Sequence, residues 1–381
     1  MKRVVYVSAT NELGGSDASL FELVRNLDRA RFLPTVVLPQ DGPWSERYAS
    51  IGVPVEYVPL KKLRNTLDPR WHLAWLLRAA TRVRGITRVL DACSPAIVHL
   101  NTSVEVLAAF AIHRWCRRHG GRFVWHVREL ELRPRWVERA IFGLVRSWAD
   151  AVVAISTPIG VRFAGRERVF VIPNGIDLQR FRARALPTVV QSAAAPVVGW
   201  LGRVAPRKGL ENAIEVFERV ADTCAAARLL IVGSEFAEHA TFVARLREQV
   251  RNSRHAARID WRGATDSPER ALGEMDLLLH LPDLDEGLGR VVLEAQACAV
   301  PVVTWPRGGL VDATLDGVTG TFVPVGDLAA AARAVTALLD DETRRRRMGA
   351  AATAFASERF GSPACARRVE SAYASLAGAS A

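Results

Sequence analysis

Two basic residues, Arg203 and Lys208, flank a short loop that begins at Gly202. A forked guanidinium and a compact ammonium that meet at one loop can together neutralise a diphosphate. Only four of the 51 basic residues are lysines, so a lysine at this position is an unusual choice. The alternative is that both are ordinary surface cations, which is the better interpretation for Arg207 between them.

Two carboxylates, Glu286 and Glu294, stand on either side of a glycine-containing turn formed by Gly287, Leu288 and Gly289. On a loop that leads into a helix, they lie roughly 12 Å apart along the axis, at about 1.5 Å per residue. This separation is too long for an acid–base pair acting on one bond, and it suits the two ends of an elongated ligand. Glycines at a helix start expose N–H groups to phosphate oxygens. For Glu294, a salt bridge on the helix face is the alternative.

The first half of the chain offers two weaker candidates. Gly14 and Gly15 follow the first predicted strand and open a helix that we expect Ser16 to cap. This pattern favours a nearby anion, although an ordinary strand-to-helix turn explains it equally well. His126 ends another predicted strand and could donate to a hydroxyl or phosphate, yet a lone histidine is more often structural. We expect no metal site, because no second histidine stands at ligand spacing.

These loops must be positioned by strands, and apolar β-branched segments alternate with helical patterns along the whole chain. Seven such strand segments precede residue 181 and six follow residue 196. The alternation predicts an α/β fold with two Rossmann-like domains built on parallel sheets, facing each other across a cleft. We expect domains at 1–181 and 197–360, a linker at 182–196 and a final segment at 361–381. The candidate residues follow predicted strands, where open parallel sheets bind ligands.

The net charge of +11 lies entirely in the first half, where residues 1–180 hold 27 basic and 16 acidic residues. Its densest part is residues 61–90, with eight basic residues and one acid interleaved with Trp71 and Trp75. Such a segment can lie on an anionic membrane surface, or its apolar side can pack on the protein's own core; the two are equally favoured. No nucleic-acid-binding module accompanies the charge, so we expect no nucleic-acid partner.

Composition and cysteine usage limit the classes of protein to which the chain can belong. Hydrophobic residues make up 49% and charged residues 24%, as in soluble globular proteins. The five cysteines form no CxxC pair, which argues against a disulfide framework and a cysteine zinc site. Apolar stretches such as Val291–Val303 are too short to span a bilayer, and Val4–Val7 is too short for a signal sequence. These features predict a cytoplasmic location.

Taken in order, the motifs resemble the retaining glycosyltransferases of family 4, which have the GT-B fold. The resemblance covers nearly the whole chain, and the ordered series is more specific than any single motif. The matching segments are Val171–Asp177, Gly202-Arg203 with Lys208-Gly209, Leu230–Gly233, Glu286 to Glu294, Pro301–Val303, Gly308-Gly309 and Asp316–Gly320. The final segment resembles the family's C-terminal helix, which usually crosses back onto the first domain.

The resemblance implies roles for individual residues. Arg203 and Lys208 would hold the donor diphosphate and stabilise the leaving nucleotide, and Glu286 would contact hydroxyls of the donor sugar. Glu294 would bind the ribose, and His126 would lie beside the donor sugar. The remaining donor-binding positions that it implies are Gly15, Gly202, Gly287, Leu288 and Gly289. Enzymes of this family generally use no metal or cofactor. Retention of the anomeric configuration is usually explained by attack of the acceptor on the face of the sugar from which the phosphate departs.

The function that we expect is therefore metal-independent, retaining transfer of a hexose from a nucleotide-diphosphate sugar. The acceptor would be a glycan or a lipid-linked molecule of cell-surface polysaccharide or glycolipid synthesis, which would place the protein at the inner face of the membrane. Two alternatives stay open. One is a nucleotide-sugar epimerase or hydrolase of similar shape, which would turn over without an acceptor. The other is a non-catalytic, membrane-associated binding module.

Overall fold

The computed structural model describes residues 1–12, 14–60, 79–185 and 195–377. These residues form two units, one comprising Met1–Gly175 with Ser362–Ala381 and the other comprising Ile176–Gly361. Each unit is built around its own parallel β-sheet. The predicted α/β class, with two Rossmann-like parallel sheets and helices between the strands, is confirmed.

The first unit contains a seven-stranded sheet in the order β3-β2-β1-β4-β5-β6-β7, with every neighbouring pair parallel. The central strands are buried on both faces, which is why they read as continuous apolar runs. The strands are β1 (Lys2–Val7), β2 (Phe32–Leu38), β3 (Val55–Tyr57), β4 (Ile97–Leu100), β5 (Arg122–Val127), β6 (Ala151–Ala154) and β7 (Val169–Val171).

Helices connect these strands and cover the sheet. They are α1 (Gly15–Arg25), α2 (Ser45–Ser50), α3 (Ala79–Cys93), α4 (Val106–His119), α5 (Arg135–Trp148) and α6 (Thr157–Val161). The predicted cap of α1 was wrong, because the N-cap is Gly14 and Ser16 already lies inside the helix. Gly14 has an extended backbone, which lets the chain turn from strand to helix directly at the glycine pair.

The terminal helix, Ser362–Ala377, belongs to the first unit. Its Glu370 accepts a 2.7 Å hydrogen bond from the backbone N–H of Asp28, and its Ser362 donates to Glu22 at 2.8 Å. Further along the helix, the buried Tyr373 hydroxyl donates to the hydroxyl of Tyr6 at 3.0 Å. These buried polar contacts fix the helix in register against the first sheet.

The second unit contains a six-stranded sheet in the order β10-β9-β8-β11-β12-β13, again with every pair parallel. Its strands are β8 (Val197–Leu201), β9 (Arg228–Val232), β10 (Ile259–Gly263), β11 (Leu277–His280), β12 (Val302–Thr304) and β13 (Gly320–Phe322). Its helices are α7 (Leu178–Ala185), α8 (Leu210–Thr223), α9 (Ala240–Arg251), α10 (Pro268–Gly273), α11 (Arg290–Ala297), α12 (Leu310–Ala313), α13 (Leu328–Asp340) and α14 (Glu342–Phe360).

The structure places the boundary between the units after Gly175, whereas the sequence suggested Phe181. Phe181 is buried within the second unit, and its carbonyl oxygen accepts from the Cys298 thiol at 3.4 Å. Arg180, beside it on α7, forms a 2.9 Å ion pair with Glu269 of α10. Of the expected linker 182–196, residues 182–185 end α7, and residues 186–194 lie outside the described residues.

The basic segment 61–90 is described only in its second part, because residues 61–78 lie outside the described residues. Residues 79–90 form most of α3, and Ile86 and Leu90 are buried beneath that helix. This part of the segment therefore packs on its own core. Within the described ranges, no helix combines the length and hydropathy that a membrane span needs.

Candidate functional site

The loop after β8 is fixed by its neighbours on both sides. Gly202 N–H donates to the carbonyl of Val232 at 3.1 Å, which ties the loop to the end of β9. At its other end, Gly209 has a φ of +81° and begins α8. A Cβ at Gly209 would lie 2.3 Å from the carbonyl oxygen of Leu281, so only glycine fits there. The loop that carries Arg203 and Lys208 is thus held rigidly against the segment that follows β11.

Lys208 and Glu286 are brought together by this packing. The ammonium Nζ of Lys208 donates to Oε1 of Glu286 at 2.7 Å, although the two residues are 78 positions apart. The lysine side chain is 39% exposed and the glutamate side chain 19%, so the pair is partly open to solvent. Two oppositely charged groups of the predicted site therefore meet at the carboxyl ends of adjacent strands, β8 and β11.

The ionisation of Glu286 is controlled by opposing effects. Burial of the carboxyl disfavours its charged form, but the adjacent charge of Lys208, helped by its hydrogen bond and by Arg203, outweighs burial. The result is a pKa below the usual value for this group. Glu286 is therefore a carboxylate at neutral pH, able to accept hydrogen bonds from sugar hydroxyls.

The loop around Glu286 rests on the glycine pair Gly308 and Gly309. Gly309 N–H donates to the carbonyl of Glu286 at 2.8 Å. A Cβ on Gly309 would lie 2.1 Å from the carbonyl oxygen of Gly287, and one on Gly308 would lie 2.6 Å from that of Glu286. This close backbone approach explains the glycine pair after β12, and Arg307 braces the same loop through an ion pair with Asp285.

The glycine turn ends where α11 begins. Gly289, with a φ of +77°, is the N-cap of α11, and a Cβ there would lie 2.5 Å from the Leu310 side chain. Leu288 is buried, which leaves its backbone as the part that could reach a ligand. The first backbone N–H groups of α11 lie at this turn, as a phosphate site requires.

Glu294 forms the helix-face salt bridge that the sequence left as an alternative. Nε of Arg290 donates to Oε1 of Glu294 at 2.6 Å, one helical turn apart on α11. Both side chains are largely buried, with exposures of 18% and 12%. The guanidinium orients the carboxylate, whose ribose-binding role stays a prediction.

Arg203 is exposed, and its guanidinium carbon lies 5.5 Å from the centre of the Phe236 ring. Phe236 follows β9 and is itself 40% exposed. This cation–π contact holds Arg203 beside the loop without burying it. The guanidinium thus stays close enough to influence Glu286 while remaining accessible to an anion.

His280 is a residue of this site that the sequence reasoning missed. It ends β11 and is only 4% exposed, and among the described residues neither of its ring nitrogens has a hydrogen-bond partner. Burial lowers its pKa to about 4, opposed by Glu286 and reinforced by Lys208. A neutral imidazole therefore lies within electrostatic reach of the Lys208–Glu286 pair. The only sequence signal was its position at the end of a strand that precedes the site loop.

In the first unit, His126 is buried rather than presented to solvent. It is 4% exposed, and its Nδ1 lies 3.0 Å from Nε2 of His99. His99 continues the network through Nδ1, which lies 2.6 Å from the Tyr373 hydroxyl. Burial, helped by the charge of Arg128, lowers the pKa of both histidines, that of His99 to about 3. Within the part of the chain that the structure describes, the buried Nε2 of His126 has no hydrogen-bond partner.

Arg128 is a second residue that the sequence reasoning did not single out. It lies two positions beyond His126, just after β5, and donates from Nε to the Asn101 side chain at 3.0 Å. Its Nη1 donates to the side-chain oxygen of Asn174. Arg128, Asn101 and Asn174 each follow a strand, so they form a polar cluster at the carboxyl edge of the first sheet.

Gly15 begins α1 at the same edge and is exposed. Its carbonyl oxygen accepts from the Ser19 hydroxyl at 2.7 Å. The preceding turn is organised by the buried Asp17, whose carboxylate accepts from the hydroxyls of Ser8 and Thr10 at 2.9 and 3.0 Å. The structure thus gives Gly15 a defined turn with an exposed backbone.

All five cysteines are free thiols. Among the described residues, no three or more histidine, cysteine or carboxylate side chains are grouped so that they could hold a metal ion. The site chemistry available from these residues is that of cations, carboxylates and backbone N–H groups.

Comparison with known proteins gives the family context. The model described as Glycosyltransferase Family 4 matches residues 13–180, and the one described as Glycosyl transferases group 1 matches residues 190–355. The chain is 32% identical over 396 aligned positions to 2-deoxystreptamine N-acetyl-D-glucosaminyltransferase of Streptomyces fradiae, covering 94% of this chain and 90% of that protein. It is 34% identical to D-inositol 3-phosphate glycosyltransferase of Nocardia farcinica over 51% of this chain, and the match spans only 45% of that relative.

Solved structures share the fold. The Anabaena protein HepE in complex with UDP-glucose superposes with a TM-score of 0.80 at 21% identity, covering 98% of this chain and all of that one. Sucrose-phosphate synthase from Thermosynechococcus elongatus gives a TM-score of 0.80 at 19% identity over the full length of both chains. At these identities the likeness concerns the fold, which is GT-B.

Proposed function

Because this chain belongs to glycosyltransferase family 4, we propose that it transfers a hexose from a nucleotide-diphosphate sugar to an acceptor, with retention of configuration and without a metal ion. The observation that carries the proposal is the 2.7 Å pair between Lys208 and Glu286. In this pair an ammonium, which suits a diphosphate, and a carboxylate, which suits sugar hydroxyls, stand at adjoining strand ends, and the guanidinium of Arg203 is exposed.

The proposed step needs no enzymic base. The bond between the anomeric carbon and the diphosphate oxygen breaks, and the acceptor oxygen bonds to the same carbon from the same face. The acceptor's proton passes to the departing phosphate oxygen, so charge and atoms balance. Arg203 and Lys208 stabilise the developing negative charge on the diphosphate, which is the work that a metal ion does elsewhere. Glu286 holds the sugar hydroxyls, and Glu294 the ribose.

The donor panel follows from the relatives. They include an N-acetyl-D-glucosaminyltransferase, GDP-mannose-dependent mannosyltransferases and, among the solved structures, a protein in complex with UDP-glucose. We therefore propose testing UDP-glucose, UDP-N-acetylglucosamine and GDP-mannose, each with and without acceptor. Release of nucleotide that depends on an acceptor supports transfer. Fast turnover without acceptor would favour a hydrolase or an epimerase instead.

The acceptor is proposed to be a glycan or a lipid-linked molecule. Relatives that match about half of the chain include phosphatidylinositol mannosyltransferases and a capsular polysaccharide enzyme, and the basic first half suits an acidic or membrane-borne acceptor. The nearly full-length match to an enzyme named for 2-deoxystreptamine favours a second acceptor class, a small cyclitol. A parallel assay with both classes separates them.

Three controls make the test specific. Product anomers read by NMR must match the donor's configuration, and activity must survive a chelator. Arg203→Gln should lose activity, whereas Arg207→Gln, four residues away in the same loop, should not. Titration calorimetry that shows no binding of UDP or GDP would revive the alternative of a non-catalytic binding module.

A further inference from the structure

The start of α5 presents an unusual surface in the first unit. Trp136 is 70% exposed there, although a tryptophan side chain is usually largely buried. The opposite side of the helix carries Ile141, Phe142 and Val145, all buried against the core. Amphipathic packing therefore leaves Trp136 pointing away from the protein, on the helix side that the core does not use.

The exposed side of α5 is basic and carries no carboxylate. Its exposed residues are Arg135, Trp136, Arg139, Ala140, Gly143, Arg146 and Ser147. The one acidic residue of the helix, Glu138, is turned inward, where it pairs with Arg162 and accepts from Leu132 N–H at 2.9 Å. Its charge is thus already neutralised and does not offset the arginines outside.

An open hollow of about 830 Å³ is lined by residues at this end of the helix, including Arg135, which precedes Trp136 in sequence. Four arginines line it, namely Arg133, Arg135, Arg139 and Arg162, together with Glu131 and Glu138. Glu131 lies 3.6 Å from Arg133, which is itself 59% exposed. Guanidinium groups that converge on one hollow can bind several phosphate oxygens at once. Val161, next to Arg162, adds an aliphatic side chain that is 66% exposed.

We propose that this α5 basic face, formed by Arg133, Arg135, Trp136 and Arg139, binds anionic phospholipid headgroups at a membrane surface. Arginines neutralise the headgroup phosphates, and the indole of Trp136 inserts at the level between headgroups and acyl chains, where tryptophan is favoured. None of these four residues belongs to the basic segment 61–90 of the sequence. The proposed binding does not depend on the proposed sugar transfer, since lipid binding requires no donor.

Vesicle flotation of the full chain tests the proposal, with phosphatidylcholine vesicles compared with vesicles that contain phosphatidylglycerol. The wild type should float with anionic vesicles only, and 0.5 M salt should release it. Arg135→Ala with Arg139→Ala should weaken binding about thirtyfold, which corresponds to about fivefold per arginine. Trp136→Ala should weaken it about tenfold through lost apolar burial. The matched control is Arg346→Ala with Arg347→Ala on α14 of the second unit, which should leave binding unchanged.

Each other outcome overturns the proposal. If the wild type ignores anionic vesicles, this face is not a lipid site. If all variants float like the wild type, another region such as 61–78 carries the binding. If the α14 control loses as much as the α5 variant, attraction follows net charge alone. If Trp136→Ala changes the oligomeric mass in sedimentation but not flotation, the face joins two copies of the chain. Unchanged thermal unfolding of each variant confirms that the fold is intact.

Discussion

The ammonium of Lys208 donates to the carboxylate of Glu286 at 2.7 Å, across two loops that follow neighbouring strands of the second sheet. The pair unites a group suited to phosphate with a group suited to sugar hydroxyls. Its geometry depends on the packing of Gly209 against Leu281 and of Gly309 against Gly287, where no side chain fits. These close backbone contacts fix the position of the Lys208 loop and of the Glu286 loop.

Lys208→Met should raise the pKa of Glu286. Burial, which disfavours the carboxylate, remains in the variant, while the main charge that opposes it is removed. In the wild type the pKa of Glu286 is lowered, so activity that needs its carboxylate persists at a pH below the usual pKa of a glutamate. That activity is lost when the pH falls further. We predict that the acid limb of the kcat/KM profile moves to higher pH in Lys208→Met. An acid limb at the same pH in both proteins would contradict the coupling.

His280→Leu should flatten the dependence of stability on pH. The folded-state pKa of His280 is about 4, below its unfolded value near 6.5, so the unfolded chain binds the extra proton between these values. The stability that the neutral His280 gives the folded state is fully present above pH 6.5. As the pH falls toward 4, the free energy of unfolding decreases by about 3 kcal/mol through this group. Urea unfolding across this range measures the slope. Equal slopes in the wild type and in His280→Leu would contradict the prediction.

Tyr373→Phe should destabilise the first unit by about 1–3 kcal/mol. The substitution removes the hydroxyl that lies 2.6 Å from His99 and 3.0 Å from Tyr6, and it leaves their buried polar atoms unsatisfied. Tyr57→Phe is the matched control. Among the described residues, the exposed hydroxyl of Tyr57 donates only to the carboxylate of the surface residue Asp41, at 3.1 Å. Chemical denaturation compares the two. Equal stabilities would show that the terminal helix does not rely on this network.

Gly309→Ala should abolish most of the activity. The new Cβ would lie 2.1 Å from the carbonyl oxygen of Gly287, so the loop that carries Glu286 must move. Misplacement of a catalytic group by about 1 Å can cost a hundredfold in rate. Gly143→Ala, where α5 leaves open space, is the control and should retain activity with slightly higher helix stability. Full activity in Gly309→Ala would mean that the loop need not be held there.

The fold, and the placement of the Arg203–Lys208 loop and the Glu286 loop after strands, could be predicted from the sequence because both follow from local patterns. Strand runs buried on both faces are continuous apolar segments, and Gly209 and Gly309 stand where backbones approach closely. The salt bridge of Glu294 with Arg290 was visible as an i, i+4 pair. The sequence did not single out His280. A buried strand residue is recognised as part of a site only when the charged groups near it, here Glu286 and Lys208, are known.

The first unit was harder to predict for the same physical reason. His126 lies near the carboxyl end of β5 as expected, but its environment is set by His99 and, through it, by Tyr373, which lies 247 positions away in sequence. Contacts of this range leave no periodic signal. The exposed Trp136 was likewise indistinguishable from a core tryptophan until α5 showed which of its sides is buried.

If Lys208 and Glu286 act together on a nucleotide-diphosphate sugar, their contributions to kcat/KM are coupled, and a double-mutant cycle measures that coupling. Acceptor-dependent nucleotide release would be measured for the wild type, Lys208→Gln, Glu286→Gln and the double variant, with Arg207→Gln as control. We predict losses of about a hundredfold for each single variant, no further loss in the double variant, and wild-type activity for the control. If the loss in the double variant equals the product of the two single losses, the two residues act independently. Such a result, or a Glu286→Gln enzyme as active as the wild type, would contradict joint action of Lys208 and Glu286.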